Sequence, residues 1–326
     1  MARTDAGKVA DKSKIQSGLL QPTNYDMLVF RALNRDLKVA GANDDYLAEK
    51  LRDELVPVRS WCMKNLPGAN RQIRRTSEHP VWGIPGCVHF VDARTSWLDR
   101  SVKDAIEAGI TQVVLVAAGF DTRAYRLHSP AVTFFEVDLP HASSKKQQLV
   151  QKLKLLPAEA RAPTYVGADL SEQDLSQALS GSAFSAACPT LYIIEGLIYY
   201  LPAAAVGALF RSISALAAPG STVCFDFLDS AALEKRVKFA GFKTMAKIVA
   251  SKNEPLISSL GASSEAIRAF AGSVGLTFER YISPKDMAAA TYPAMKWNDK
   301  TPPIISFFNF AVLSKGAQEV EPEASQ

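Results

Sequence analysis

The residues best placed for chemistry form a turn of small side chains, Ala117-Ala118-Gly119-Phe120-Asp121, directly after an apolar run. In a doubly wound sheet, nucleotides bind where a strand ends and a helix begins, because a turn of small residues lets the ligand approach backbone N–H groups. An acidic residue about 20 positions later, at the end of the next strand, then accepts hydrogen bonds from ribose hydroxyls. Asp138 stands at that distance from Gly119. Ala117, Gly119 and Asp138 are therefore predicted to contact a nucleotide-like cofactor.

This pattern alone suits NAD as well as S-adenosylmethionine, since the turn lacks a full GxGxxG sequence. A nicotinamide-dependent oxidoreductase would also need a residue pair at the hydride site, such as Tyr-xxx-Lys. Tyr192, Tyr199 and Tyr200 have no lysine at that spacing. The oxidoreductase is therefore the less favoured alternative.

Four charged residues suit the polar groups of S-adenosylmethionine. This cofactor carries a carboxylate, an ammonium, ribose hydroxyls and an adenine amine, so its site needs a cation and several hydrogen-bond acceptors. Arg94, Asp138, Asp169 and Glu195 supply that set. Glu195 is the most informative, because it ends the apolar run Leu191-Tyr192-Ile193-Ile194 and so lies at the carboxyl tip of a predicted strand, where open sheets bind ligands.

The elements that must position these residues begin with helices. Apolar residues recur at helical spacing from Asn24 to Leu66, which predicts two or three helices before any strand. A further helix is predicted through Trp97 and Ile106. We expect residues 24–100 to form a helical cap.

Strands and helices then alternate as a parallel sheet requires. Short apolar runs predict buried strands over residues 112–117, 133–137, 164–167, 191–194 and 222–227. A helix from Ala203 to Ala218 is predicted between the last two of these. The stretches Leu276 to Ile282 and Ile304 to Leu313 predict a final strand pair.

The composition is that of an ordinary globular protein. With 326 residues and 48% hydrophobic content, the chain can bury a sizeable core. We expect one domain over residues 21–315, between a flexible N-terminus (1–20) and a flexible acidic tail (316–326). No apolar run is long enough to span a membrane, and the opening residues lack the apolar segment of a signal peptide. The formal charge of +4 comes from residues 1–75, which carry 14 Lys and Arg against 9 Asp and Glu, while the remainder carries 23 against 24. The core therefore has no basic surface for nucleic acid.

The four cysteines and four histidines have no spacing typical of metal ligands. Most of the cysteines lie in or beside apolar segments, where a free thiol packs as a small hydrophobe. The sequence therefore predicts no metal site, and we expect a cytoplasmic protein that binds neither membranes nor nucleic acid. It assigns no oligomeric state.

Longer stretches around the turn resemble the leucine carboxyl methyltransferase family, including its bacterial polyketide-type O-methyltransferase branch. The resemblance covers most of residues 24–228. It implies an α/β fold, a Rossmann-like class I methyltransferase with a doubly wound, mostly parallel seven-stranded sheet, an N-terminal helical cap and a C-terminal antiparallel strand pair. The matching blocks are Val113-Val114-Leu115-Val116-Ala117-Ala118-Gly119-Phe120-Asp121-Thr122-Arg123-Ala124-Tyr125-Arg126-Leu127 with Phe135-Glu136-Val137-Asp138-Leu139-Pro140, then Arg94-Thr95-Ser96-Trp97-Leu98-Asp99, Gly167-Ala168-Asp169-Leu170, Glu195-Gly196-Leu197-Ile198-Tyr199-Tyr200-Leu201-Pro202 and Pro219-Gly220-Ser221.

The resemblance also implies a role for individual residues around S-adenosylmethionine. It places the turn with Ala117 and Gly119 against the cofactor. The other implied contacts are Arg94 on the methionine carboxylate, Asp138 on the ribose, Asp169 and Leu170 beside the adenine, and Glu195 under the methionine amino group.

Three other charged residues are expected to be structural. Arg123 and Arg126 follow the first strand, where arginines commonly form ion pairs within the fold. Asp99 is expected to hold Arg94 in place.

On the acceptor side, the resemblance implies O-methylation, with a carboxylate of a small molecule or of a peptide C-terminus favoured and a hydroxyl still open. A carboxylate is ionised near neutral pH and needs no general base, which agrees with the lack of an obvious catalytic His or Lys pair. No catalytic residue is assigned. The cap would close over the acceptor, and the candidate wall residues are Trp82, His89, Trp97, Tyr199 and Tyr200.

Two departures from the family leave an alternative open. The family turn reads Leu-Gly-Ala-Gly, whereas this chain has Val116-Ala117-Ala118-Gly119, so Ala117 must take a conformation that glycine adopts more easily. The residues from Lys235 onward resemble no substrate region that we recognise. A protein that binds the cofactor without turnover, or that acts as a regulatory partner, is the alternative.

Overall fold

The fold is described from a computed structural model, which covers residues 23–170 and 172–316. The predicted flexible N-terminus, residues 1–20, and all but the first residue of the predicted acidic tail lie outside these ranges. Within the described ranges, no helix is both long enough and apolar enough to cross a membrane.

A seven-stranded sheet with the order β3-β2-β1-β4-β5-β7-β6 forms the centre of the protein. The first five strands run parallel, and β7 lies antiparallel between β5 and β6. This confirms the predicted doubly wound sheet with an antiparallel pair at its end. The strands are β1 (Gln112–Val116), β2 (Thr133–Asp138), β3 (Thr164–Gly167), β4 (Thr190–Ile194), β5 (Thr222–Leu228), β6 (Thr277–Ile282) and β7 (Phe308–Ser314).

Helices precede the sheet and cover both of its faces. Within residues 23–86, four helices come before the long helix α5, in agreement with the predicted helical cap. The helices are α1 (Thr23–Asp36), α2 (Tyr46–Leu55), α3 (Pro57–Asn65), α4 (Ala69–Ser77), α5 (Cys87–Glu107), α6 (Arg123–Arg126), α7 (Pro140–Leu153), α8 (Leu175–Ser180), α9 (Ala203–Leu216), α10 (Ser230–Leu233), α11 (Phe242–Ser251), α12 (Ser264–Ser273) and α13 (Pro284–Thr291), with a 3-10 turn at Ile198–Tyr200.

Local sequence explains where several of these elements begin. The side chain of Asp45 caps α2 by accepting a hydrogen bond from the N–H of Ala48. Proline stands in the first turn of α3, α7 and α13, where its missing N–H costs no hydrogen bond. All residues of β1 and β4 are buried, as expected for central strands covered by helices on both faces.

Helix α5 links the cap to the sheet. In its carboxyl-terminal half, Leu98 and Val102 pack in one apolar cluster with Val113 and Leu115 of β1. Its amino-terminal half instead packs near α1. Because β1 to β4 are parallel, their carboxyl ends meet at the same edge of the sheet, and α1 and α5 lie over that edge.

The last strand is shorter than the sequence predicted. It begins at Phe308, whereas the apolar run begins at Ile304. Ile304 is fully buried but does not pair in the sheet, because its backbone passes close to Gly86. A Cβ atom at Gly86 would lie 2.6 Å from the Cα of Ile304. Burial against the start of α5 thus accounts for the apolar character of this segment.

Candidate functional site

A cavity of about 540 Å³ opens at the carboxyl ends of β1 to β4, beneath α1 and the first half of α5. Its volume falls in the range of roughly 300–1,000 Å³ that is typical of small-molecule sites. The fold brings together there most of the residues predicted from the sequence. These are Arg94, Ala117, Gly119, Asp138, Asp169, Leu170, Glu195, Tyr199 and Tyr200.

The turn after β1 is held by the acid at the end of β2. Asp138 Oδ2 accepts a hydrogen bond from the N–H of Gly119 at 2.6 Å, and Oδ1 accepts one from the N–H of Leu139 at 2.7 Å. Each carboxylate oxygen can accept a further hydrogen bond, so Asp138 can bind a ligand hydroxyl as well. The same residue therefore shapes the turn and offers an acceptor beside it.

Ala117 has the left-handed backbone conformation that the sequence comparison with the family suggested. Its φ is 53°, and that of Gly119 is 45°. An alanine in this region carries a strain of about 1–2 kcal/mol, because its Cβ approaches the following carbonyl oxygen. The turn is thus bent in the way that glycine favours, although one of its positions is alanine.

Arg94 extends from α5 into a cage of acidic and aromatic groups. Its Nη1 donates hydrogen bonds to Asp226 Oδ2 at 2.7 Å and to the Tyr199 hydroxyl at 3.4 Å, and its Nε lies 3.1 Å from Glu195 Oε1. Its Nη2 donates to Met27 Sδ at 3.9 Å, and thioether sulfur is a weak acceptor. Burial by itself would lower the pKa of Arg94, but Asp226 and Glu195 outweigh it and raise the pKa.

Three arginines surround the carboxylate of Glu195, at the tip of β4. The closest is Arg123, whose Nη1 lies 2.7 Å from Oε2, and Arg94 and Arg31 lie 3.1 and 3.6 Å from Oε1. Burial by itself would raise the pKa of Glu195, but Arg123, Arg94 and Arg31 together lower it well below its usual range. Glu195 is therefore ionised throughout the physiological pH range.

Sequence reasoning missed two residues that contribute directly to this cage, Arg31 and Asp226. Asp226 is fully buried in β5, where it holds Arg94 and also accepts a hydrogen bond from the N–H of Gly196 at 2.7 Å. Arg31 lies on α1, where it also pairs with Asp45 at 3.2 Å. A charged residue inside the apolar strand Phe225-Asp226-Phe227 was the available signal for Asp226. Arg31 had a similar signal, since it lies on the buried face of α1.

Asp99 does not hold Arg94, so that expectation was wrong. It accepts hydrogen bonds from Arg123 Nε at 2.8 Å and from Arg126 Nη1 at 2.7 Å. The expected structural ion pairs of Arg123 and Arg126 are thereby confirmed. Since Arg123 also contacts Glu195, these pairs connect the helix after β1 to the centre of the site.

Three of the candidate wall residues lie outside the cavity lining, which corrects the expectation that they form its wall. Trp82 is 64% exposed in the loop before α5. His89 is buried beside Arg74, 2.9 Å away, and burial followed by this positive neighbour lowers its pKa to about 4. Trp97 packs edge-on against Phe310 of β7. Helical spacing accounts for His89, which lies on a different face of α5 from Arg94, whereas Trp97 lies one turn beyond Arg94 and packs against the sheet.

The remaining wall of the cavity is mostly apolar and comes from segments far apart in the sequence. Helix α1, the start of α5, helix α11 and the segment leading into β7 all contribute to it. The side chains include Met27, Phe30, Ile84, Phe90, Met245, Ile305 and Phe308. The site thus has one polar end near the strand tips and one apolar end beneath the helices.

Comparison with known proteins finds similarity to one family of methyltransferases. The model of the leucine carboxyl methyltransferase family matches residues 27–214. A putative S-adenosyl-L-methionine-dependent methyltransferase of Mycobacteroides abscessus is 41% identical over 150 residues, which are 45% of this chain and 49% of that protein. One from Mycolicibacterium smegmatis is 39% identical over 152 residues, covering 46% and 50% of the two chains. The match spans about half the length of these curated relatives.

Two solved structures share the fold at low sequence identity. A putative methyltransferase from Thermobifida fusca has a TM-score of 0.51 and 17% identity, covering 76% of this chain and 89% of the other. A DUF574 family protein from Streptomyces avermitilis has a TM-score of 0.52 and 19% identity, covering 77% and 92%.

Proposed function

The chain belongs to the leucine carboxyl methyltransferase family, and we propose that it transfers a methyl group from S-adenosylmethionine to a carboxylate oxygen of its acceptor. One observation carries the proposal. The glycine turn, the acids Asp138 and Asp169, and the Arg94–Glu195 pair lie in a single cavity at the strand tips. A methionine-derived zwitterion attached to a nucleoside needs groups of these kinds.

The residues present fit the cofactor at both of its ends. Arg94 and Arg31 offer positive charge for the carboxylate, and Arg94 Nη2 has only a weak sulfur partner among the described residues. Glu195 offers negative charge for the amino group. Asp138 would accept from the ribose hydroxyls, while Asp169 and Leu170 would flank the adenine.

Gly196 gives this arrangement a conformational requirement. Its φ is 68°, which glycine adopts without strain and other residues rarely do. A Cβ atom there would lie 3.4 Å from Arg94 Nη1 and 3.5 Å from the Tyr199 hydroxyl, which are ordinary contact distances. The backbone conformation of the turn after β4 therefore favours glycine beside Arg94.

When bound, S-adenosylmethionine supplies the methyl group: a carbon–oxygen bond to the acceptor forms while the carbon–sulfur bond breaks and its electron pair remains on sulfur. The protein's own contribution is to align the acceptor and to exclude water, since the transferred group arrives already activated. A carboxylate acceptor is already deprotonated near neutral pH, so no side chain has to remove a proton.

The experiment that tests the proposal uses methyl-labelled cofactor with a metabolite extract, followed by treatment with base. Methyl esters release volatile methanol under base, whereas methyl ethers do not. We expect labelled methanol, and its absence despite stable incorporation of label would contradict a carboxylate acceptor. Calorimetry with S-adenosylhomocysteine and NAD tests the cofactor separately. Tight NAD binding with no response to S-adenosylhomocysteine would contradict the methyltransferase assignment.

A further inference from the structure

We propose that the acceptor is a small apolar molecule with a single carboxylate, such as a fatty acid, and that a peptide C-terminus is not the substrate. This inference rests on the proposed methyltransferase function and specifies its substrate class. It comes from the end of the cavity that lies beneath the helices, away from the strand tips.

Most side chains of the wall at this end are apolar, although Thr23, Asn24 and Tyr200 also line the cavity. Met27 and Phe30 come from α1, Ile84 precedes α5, Met245 comes from α11, and Ile305 and Phe308 lead into β7. Such a surface stabilises an apolar ligand by removing it from water. The two methionines can also adapt to different shapes, because their side chains are unbranched and flexible.

The charges that line the cavity disfavour a second carboxylate on the acceptor. Among the described lining residues, the cations are Arg31 and Arg94. Both are assigned to the methionine carboxylate in the proposed cofactor site, so neither is left to pair with a second carboxylate of the acceptor. An additional ionised group against the apolar wall would lose its hydration without gaining a partner.

Glu254 is a further reason why this end of the cavity disfavours a second carboxylate on the acceptor. It lines the cavity and accepts a hydrogen bond from the N–H of Thr23 at 3.3 Å. Its negative charge repels a second carboxylate that the acceptor would place beside it. Since the proposed acceptor brings one carboxylate, which reacts, its remaining body is expected to be uncharged.

A peptide fits this wall poorly because each of its residues brings a backbone N–H and C=O that need partners. The Tyr199 hydroxyl is one polar group nearby, and it already accepts from Arg94 and donates to Asp226. An aliphatic chain makes no such demand. A carboxylate in weakly polar surroundings also loses part of its hydration shell, which favours its attack on the methyl carbon.

The test measures binding to the whole protein after it has been loaded with S-adenosylhomocysteine. Hexanoate, octanoate and decanoate are titrated by calorimetry, alongside the dicarboxylates of the same chain lengths and a short peptide ending in leucine. We expect at least one fatty acid to bind about tenfold or more tightly than its dicarboxylate and the peptide. Equal or tighter binding of a dicarboxylate or the peptide, or binding of none of these compounds, would overturn the inference.

The loading step keeps the two proposals distinguishable. If S-adenosylhomocysteine itself does not bind, the cofactor assignment fails and the acceptor inference falls with it. If it binds but the fatty acids show no preference, the acceptor inference fails and the methyltransferase proposal stands.

A pair of variants on α11 locates the effect. Met245 lines the cavity, whereas Ile248, one turn further on, is 41% exposed and does not line it. Met245→Lys is expected to weaken fatty-acid binding about tenfold and to reduce the preference over dicarboxylates, because it places a cation on the apolar wall. Ile248→Lys should change neither and should bind S-adenosylhomocysteine as the unmodified protein does; Met245→Lys is titrated with the fatty acids after it has been saturated with S-adenosylhomocysteine. The same response from both variants, or an unchanged preference in Met245→Lys, would contradict the inference.

Discussion

Replacing Arg94 by lysine tests the centre of the proposed cofactor site while conserving its charge. In the structure, Arg94 Nη1 is held by Asp226 at 2.7 Å and Nε lies 3.1 Å from Glu195. Nη2 contacts the weak acceptor Met27 Sδ. This nitrogen is therefore the one with donor capacity for the methionine carboxylate.

The expected loss follows from that geometry. A charge-assisted hydrogen bond contributes about 1.5–3 kcal/mol, which corresponds to a loss of about 10- to 150-fold in affinity for S-adenosylhomocysteine. A lysine ammonium is a compact charge and cannot reproduce the planar fork that serves Asp226, Glu195 and a ligand at once. Lysine is preferred to alanine, because Arg94→Ala would leave Asp226 buried without its cation, at a cost of about 3–5 kcal/mol in folding free energy.

The assay is calorimetry with two ligands that differ in the amino-acid portion. 5′-Methylthioadenosine keeps the adenine and ribose but has no carboxylate, so it should bind Arg94→Lys and the unmodified protein about equally. Arg59→Lys serves as a matched control, since Arg59 is a partly exposed arginine paired with Asp26 away from the cavity. If Arg94→Lys loses both ligands by the same factor, Arg94 supports the cap and does not touch the cofactor.

Three further predictions concern the two strand tips and the buried face of β2. Asp138→Ala should weaken S-adenosylhomocysteine binding by about 1.5–3 kcal/mol, as measured by calorimetry. Because Asp138 also accepts a hydrogen bond from the Gly119 N–H, the substitution should lower the unfolding free energy by about 1 kcal/mol, as measured by urea unfolding. Unchanged affinity with lower stability would make Asp138 purely structural. Ala117→Gly should raise the unfolding free energy by about 0.5–1 kcal/mol, since relief of the strain at positive φ exceeds the entropy that glycine adds to the unfolded chain. A lower unfolding free energy, measured with urea, would contradict strain at this residue. Burial, only partly offset by Lys146, raises the pKa of Glu136 to about 7. The stabilising contribution of Glu136 is therefore present below its unfolded pKa near 4.5 and is lost as pH rises through about 7. Across that window the unfolding free energy should fall by up to about 3 kcal/mol more in the unmodified protein than in Glu136→Gln, and parallel pH profiles of the two proteins would refute the raised pKa.

The strand tips illustrate how much of the site the sequence predicted. Asp138 and Glu195 each follow a short, mostly apolar run, and such a run predicts a central strand because strands covered on both faces are largely apolar. Parallel strands place their carboxyl ends at one edge, so the polar residues that follow them come together without further information. The turn at Ala117 and Gly119 could be predicted for the same reason, since its spacing from Asp138 is local.

Only the tertiary structure decided which residues complete the site. Arg31 on α1 and Asp226 in β5 reach Arg94 and Glu195 through contacts between segments far apart in the chain, and periodicity does not specify such contacts. The same holds for the wall residues: His89 and Trp97 lie on α5 with Arg94, but His89 contacts Arg74 and Trp97 packs against Phe310, so neither reaches the cavity. Helix periodicity places residues on a face, whereas the neighbours of that face are chosen by packing of the whole chain.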